Sequence, residues 1–495
     1  MLRALATAAM ILASGTCAAA TVRIGLPSFP PSNAAPFDAT SRAALLSMRA
    51  IFDALTQLGD GMQPQPALAL SWRNTDQLTW VVNLRPNVAF SNGEAMNADA
   101  VVFSYNFLKT PEAFRQIMAA EVQNIVSIRA VDPLTVEFKT KLPDPGFARR
   151  MAIIPIVAPA HWKKVGLDGY TLAPIGTGSF AVEKWETARV TLTAFKKSWR
   201  APVAERLEIL NLPIATTRVQ ALLSGRIDIA ADLGPENVET LEAAGFRTAQ
   251  RPVSSVDVMT LNALLPGSPF KDARVRQAVN YAIDRDAIAK QILHGLVPPA
   301  SQVTARINPE YDPSLKPYPY DPAKAKALLK EAGFPNGFSF VYEMNNAGGA
   351  DMSAIMEQIA HSLAQVGIKM EIRPVPWPQI VQHVRYGGWT AQAFGLEFED
   401  LPAGDTLWPF RLHACVWQAP WYCDETLTPV IAEARTTFDP KRRLELIHKV
   451  LRRTHEQAAV VPLFEPVGLD GLSPKVKNYT QTFGNISYPV LTVAP

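Results

Sequence analysis

The sequence predicts a mixed α/β protein of several domains, and three observations carry that reading. The chain runs to 495 residues with 48% hydrophobic content, strand-like and helix-like apolar patterns interleave along it, and no unit repeats at a period of roughly 20 to 50 residues. Solenoids and propellers are thereby excluded, and at roughly 100 to 200 residues per domain the length allows two to four domains. Basic and acidic side chains nearly cancel, 48 against 45 for a net charge of +3. That balance is too even for a chain whose main partner is nucleic acid, which requires a basic surface dense enough to displace counterions.

The first twenty residues read as an export signal. Arg3 supplies the positive start, Ala4 to Ala13 is apolar apart from Thr7, and Ala18-Ala19-Ala20 offers small side chains for cleavage near Ala20. The apolar stretch is too short for roughly 30 Å of hydrocarbon, so the mature chain is expected to start at Thr21 in the periplasm. Val22, Ile24 and Leu26 then alternate as in a half-buried strand. Leu45, Met48, Phe52, Leu55 and Leu58 follow at helical spacing between Ser41 as N-cap and Gly59 as stop.

Further along, Asp321-Pro322 opens a helix carrying Ala325, Leu328 and Leu329 that ends at Gly333. Ile355, Ile359 and Leu363 mark another ending near Gly367, followed by a strand from Ile368 to Val375. Asp439-Pro440 opens a third with Leu444, Ile447 and Leu451.

Loss of the signal removes Cys17 and leaves Cys415 and Cys423. A close, even pair in an exported protein reads as a disulfide. A metal site built on His413, Cys415 and Cys423 is the alternative, although no fourth ligand is evident and the spacing is unlike that of structural zinc sites. No Gly-x-Ser-x-Gly elbow or Walker loop occurs, and His455-Glu456 is followed by Ala459 where a zinc helix needs its second His. No catalytic residue, metal or cofactor is expected. Five of the ten tryptophans, Trp377, Trp389, Trp408, Trp417 and Trp421, fall between residues 377 and 421, beside Glu397, Glu399, Asp400 and Asp405. Such a segment either packs as an aromatic cluster under a long loop or offers stacking faces and an anion to a cationic ligand.

A succession of blocks over nearly the whole mature chain carries a resemblance. Pro66-Ala-Leu-Ala-Leu-Ser-Trp72, Trp80-Val-Val-Asn-Leu-Arg85, Ala89-Phe-Ser-Asn-Gly-Glu94 and Asn97-Ala-Asp-Ala-Val-Val-Phe-Ser-Tyr105 come first. Gly176-Thr-Gly-Ser-Phe180, Ala221-Leu-Leu-Ser-Gly-Arg-Ile-Asp228, the run Phe270 to Arg285, the run Tyr320 to Phe334 and Val366-Gly-Ile-Lys369 follow in order. Together they resemble the family 5 extracellular solute-binding proteins of ABC importers.

The resemblance implies a two-lobed periplasmic-binding-protein fold with an extra small domain inserted in the first lobe. Lobe one would take 21–57, 171–262 and 465–495, the insert 58–170, and lobe two 263–464, with crossings near Leu261-Asn262 and Phe464-Glu465. The implied function is capture of a peptide or peptide-sized cationic solute by lobe closure and delivery to a membrane permease, by a monomer that performs no reaction. In peptide-binding relatives an Asp neutralises the ligand's α-ammonium. Asp400 is the nearest match and Asp405 the second, without the expected Gly-Trp lead, and a solvated acidic turn is the alternative for both. Trp389 and Trp408 are candidate stacking faces. By position, Asn33, Asp257 and Met259 are candidate contacts from lobe one. Nickel chelates, opines and oligosaccharides are other ligands that the same scaffold takes, and a secreted hydrolase with a dispersed site is the alternative class.

Overall fold

A computed structural model describes residues 21–30, 33–38, 42–346, 349–400, 403–483 and 485–494. The export segment 1–20 and Ser41 lie outside the described residues. Among the described residues three larger sheets organise the chain. The first has seven strands in the order Arg247–Pro252, Val467–Leu472, Ile229–Leu233, Thr21–Leu26, Arg206–Asn211, Arg189–Ala194 and Phe180–Trp185. Thr21–Leu26 lies parallel to both of its neighbours, and its alternating Val22, Ile24 and Leu26 are buried. The antiparallel four-stranded sheet runs Ala69–Asp76, Thr79–Leu84, Thr135–Thr140 and Ile125–Asp132. Its inner face, with Val82, Val136 and Phe138, shares one continuous core with the first sheet.

The second sheet has five strands, Ile368–Val375, Phe338–Asn345, Ala393–Glu399, Ser255–Leu261 and Val460–Phe464, and carries three core clusters of its own. The chain passes from the first sheet to the second between Pro252 and Ser255. It returns between Phe464 and Val467. The outward passage therefore precedes Leu261-Asn262. Ser255–Leu261 was grouped with lobe one, yet all seven of its residues pair with Ala393–Glu399 in the second sheet.

Helix starts follow their capping chemistry. Asp321 accepts from Lys324 N at 2.8 Å and Asp439 from Arg442 N at 2.7 Å, each with Pro in the first turn, where its missing N–H costs nothing. Gly349–Ala364 and the strand Ile368–Val375 also form, with Gly367 at φ 87 between them.

The first helix is shorter than its apolar spacing predicts, for it ends at Ile51. Beyond it the backbone finds tertiary partners instead: Gly178 N donates to Ile51 O, Ile156 N to Asp53 O and Leu68 N to Ala54 O, and Thr56–Leu58 forms a short strand with Pro64–Pro66. Gly176 is required here for space, since a Cβ on it would lie 1.9 Å from the Ile51 carbonyl oxygen. No helix among the described residues is long and apolar enough to cross a membrane.

Candidate functional site

A cavity of about 340 Å³ opens between the body built on the four-stranded sheet and the body built on the second sheet. One wall comes from Glu121, Asp144 and Arg150, and the other from Asp405, Trp408, Arg411, Arg435 and Arg443. Local structure places each of them. Glu121 belongs to the 3-10 turn Ile117–Val122, whose Met118 and Val122 anchor it in the core. Arg150 ends the short helix Phe147–Arg150 behind the Asp144-Pro-Gly146 turn. The Asp405 carboxylate accepts from Leu407 N at 3.0 Å, which shapes the turn that presents Trp408 and then Arg411. Arg435 lies in the last turn of Leu427–Thr436 and Arg443 in the first turn of Pro440–Glu456.

A cation at a helix N-terminus opposes the macrodipole, so Arg443 needs carboxylates to hold it. It has two. Glu310 is buried and pairs with Arg443 and with Arg149, the latter at 3.0 Å, while Arg443 Nη2 lies 3.2 Å from Asp405 Oδ1. Burial works to raise the Asp405 carboxyl, but Arg443 and Arg150 outweigh it and hold the group below its ordinary value. Arg150 pairs with Asp144.

Two guanidiniums are left over. Arg411 stacks on the Trp408 ring at 3.5 Å from its centroid, and Arg435 Nη2 donates to Leu407 O at 3.1 Å. Neither has a carboxylate within 4.0 Å among the described residues. Glu121 is half-buried, and desolvation pushes its carboxyl up to about 7 against the pull of Arg150 and Arg411. The arrangement is a charged pocket with one aromatic side chain in its wall, equipped to hold carboxylates by charge-assisted hydrogen bonds.

Of the residues that sequence singles out, Asp405 and Trp408 line this cavity. Asp400 does not. It is fully buried behind the wall, where its Oδ2 accepts from Ser254 Oγ at 3.0 Å and Asn308 Nδ2 at 2.7 Å, and burial raises it to about 7. Asp405, being paired with Arg443, is no free counter-ion for an ammonium. Trp389 is also buried and stacks on Phe394 with centroids 3.7 Å apart, with Trp421 edge-on to both. For Trp389 and Trp421 the core-cluster reading is the one the packing supports. Asn33 is exposed with φ 54, Asp257 is half-buried on its strand, and Met259 is fully buried in a second-sheet core. None of the three lines the cavity.

Cys415 and Cys423 are joined as a disulfide. The metal alternative fails because these sulfurs bond each other, and no group of three or more His, Cys, Asp or Glu among the described residues could hold a metal ion. His413 instead packs 3.9 Å from the Phe398 ring centroid, accepts from Trp421 Nε1 at 3.3 Å, and is driven to about 3 by burial. Sequence reasoning missed Glu121, Arg150, Glu310, Arg411, Arg435 and Arg443. The adjacent Arg149-Arg150 behind a Pro-Gly turn was a signal, but no spacing rule links it to residues about 260 to 290 positions downstream.

Comparison with known proteins gives a consistent picture. Residues 63–414 match the family described as bacterial extracellular solute-binding proteins, family 5 middle. The glutathione-binding protein GsiB of Escherichia coli strain K12 is 28% identical over 450 residues, 86% of each chain. Among solved structures, the periplasmic binding protein DppA of Helicobacter pylori in complex with the peptide STSA is similar with a TM-score of 0.79. That match is 23% identical and covers 96% of this chain and 98% of the other. NikA of Brucella suis in complex with Fe(III)-EDTA is similar with a TM-score of 0.80 at 22% identity, covering 96% and 100%.

Proposed function

The chain belongs to the bacterial extracellular solute-binding proteins of family 5, and we propose that it captures a small peptide or peptide-like solute in the cavity between its two bodies. Its role is that of the substrate-binding component of an ABC transporter, which hands its solute to the membrane permease. The observation that carries the ligand reading is the cavity itself, about 340 Å³ with charged walls drawn from both bodies and Trp408 as a stacking face. That volume lies at the small end of ligand sites and suits a di- or tripeptide better than a long chain. The relatives named for glutathione binding support the same size class.

Closure follows from the geometry. A solute touching Glu121 and Arg150 on one side and Arg411 and Arg435 on the other has more contacts when the walls are together, so its differential affinity shifts the population to the closed state. The passages at Val253-Ser254 and Glu465-Pro466 serve as the hinge between the first lobe, with its inserted four-stranded sheet, and the second. Binding and release need no covalent step. Residues 1–20 act as the export signal, removed near Ala20, for delivery to the periplasm.

Titration with a panel of di- and tripeptides tests this. A bound peptide is expected to raise the melting temperature with concentration, lower the radius of gyration in small-angle scattering, and change tryptophan fluorescence through Trp408. Absence of any response across the panel overturns the reading.

A further inference from the structure

We infer that the solute is a small peptide carrying two carboxylates and one ammonium, seated with its carboxylates on Arg411 and Arg435 and its ammonium toward Glu121. This rests on the peptide reading of the cavity and names the charge class of its ligand. The argument is one of charge matching. Arg149, Arg150 and Arg443 are each committed to Glu310, Asp144 or Asp405 at ion-pair distance. What remains in the cavity wall is two guanidiniums with no carboxylate within 4.0 Å and one carboxyl with no ion-pair partner at that distance, among the described residues.

These three groups sense one another. Burial disfavours the charge on both guanidiniums; Glu121 supports that on Arg411 and Arg435 works against it, while Asp405 supports that on Arg435 from beyond ion-pair distance. A desolvated like-charged pair is a costly arrangement in an empty site and a favourable one around an anion. Arg411 is also pre-organised. Its stacking on Trp408 fixes the plane of the guanidinium, so that less side-chain freedom is lost when a carboxylate takes its forked donors. A purely cationic peptide finds only Glu121 to receive its charges and two guanidiniums to repel them, since Asp405 and Glu310 are already paired and Asp400 lies outside the cavity.

The test is a charge series on the unmutated protein by calorimetric titration at pH 7.5: reduced glutathione, trialanine, glutathione diethyl ester and trilysine. Glutathione should bind at least tenfold more tightly than trialanine and at least a hundredfold more tightly than the diester or trilysine. Arg411→Gln and Arg435→Gln, checked for an unchanged melting temperature without ligand, should each lose at least tenfold for glutathione and erase most of its preference over trialanine. Equal affinities across the series, or tighter binding of trilysine or the diester, overturn this inference and leave the peptide receptor standing. Failure of all four to bind overturns the peptide reading and this inference with it.

Discussion

Arg149 Nη1 lies 3.0 Å from Glu310 Oε1, an ion pair between residues 161 apart that ties the four-stranded-sheet body to the second-sheet body. The same nitrogen donates to Gly404 O at 2.8 Å. Both partners are largely buried, so the pair exists only while the two bodies meet. Arg149→Gln should therefore weaken closure more than folding. Truncating one member of a buried, hydrogen-bonded pair costs roughly 2 to 5 kcal/mol, and Glu310 keeps Arg443, which places the loss at the low end. Expected outcomes are an affinity reduced by about tenfold to a hundredfold and a larger radius of gyration in the presence of ligand. A variant as compact and as tight as the parent would show that the pair plays no part in closure.

The Cys415–Cys423 disulfide closes a short loop that carries Trp421 into the aromatic cluster. In the chain-entropy picture such a loop contributes about 2 to 3 kcal/mol. Thiol titration of the unfolded, unreduced mature protein should find no free thiol, and Cys415→Ser with Cys423→Ser should lower the denaturation midpoint. Cavity binding should survive with modest loss, since neither sulfur lines the cavity.

Asp400 makes stability depend on pH in a definite direction. Burial raises its carboxyl from 3.8 to about 7, so the folded state holds the proton more tightly than the unfolded one. The associated stability is complete below about pH 4, declines as pH climbs to about 7, and changes no further above that. Asp400→Asn cannot titrate. The stability of this variant relative to the parent should rise between pH 4.5 and 7.5, by up to a few kcal/mol at about 1.4 kcal/mol per unit, as read from denaturant midpoints at several pH values. Its ligand affinity should match the parent's. Parallel stability curves, or a large loss of affinity, would place the carboxylate in contact with solvent or ligand.

Gly176→Ala should be severely destabilising. The new Cβ would meet the Ile51 carbonyl oxygen at 1.9 Å, a backbone atom already accepting from Gly178 N, so neither side can give way without breaking that contact. A drop in melting temperature of more than 5 °C is the expected result, whereas Gly93→Ala, whose Cβ meets nothing within 4 Å, should cost only the strain of its φ of 88. Equal melting temperatures for Gly176→Ala and the parent would mean that the turn relaxes freely.

Features that depend only on neighbours along the chain can be read without a fold. Helix starts at Asp321-Pro322 and Asp439-Pro440, the alternating strand Thr21–Leu26, the pairing of two cysteines eight residues apart, and the ordered family blocks are all local patterns, and local patterns are written in spacing. Features that depend on which groups meet across hundreds of residues cannot be read without the fold. Asp400 and Asp405 are five positions apart and look alike as sequence, yet one is sealed behind Ser254 and Asn308 and the other is paired with Arg443 at the cavity. Trp389 and Trp408 likewise differ only in what packs on them, a Phe394 ring in the core against an Arg411 guanidinium at the surface of the cavity. An acidic, aromatic stretch therefore reads as a site for cations until the fold brings Arg443 onto Asp405 and seals Asp400 away. Coulomb pairing and desolvation act through space at a few ångströms, and only the folded chain fixes which charges are that close.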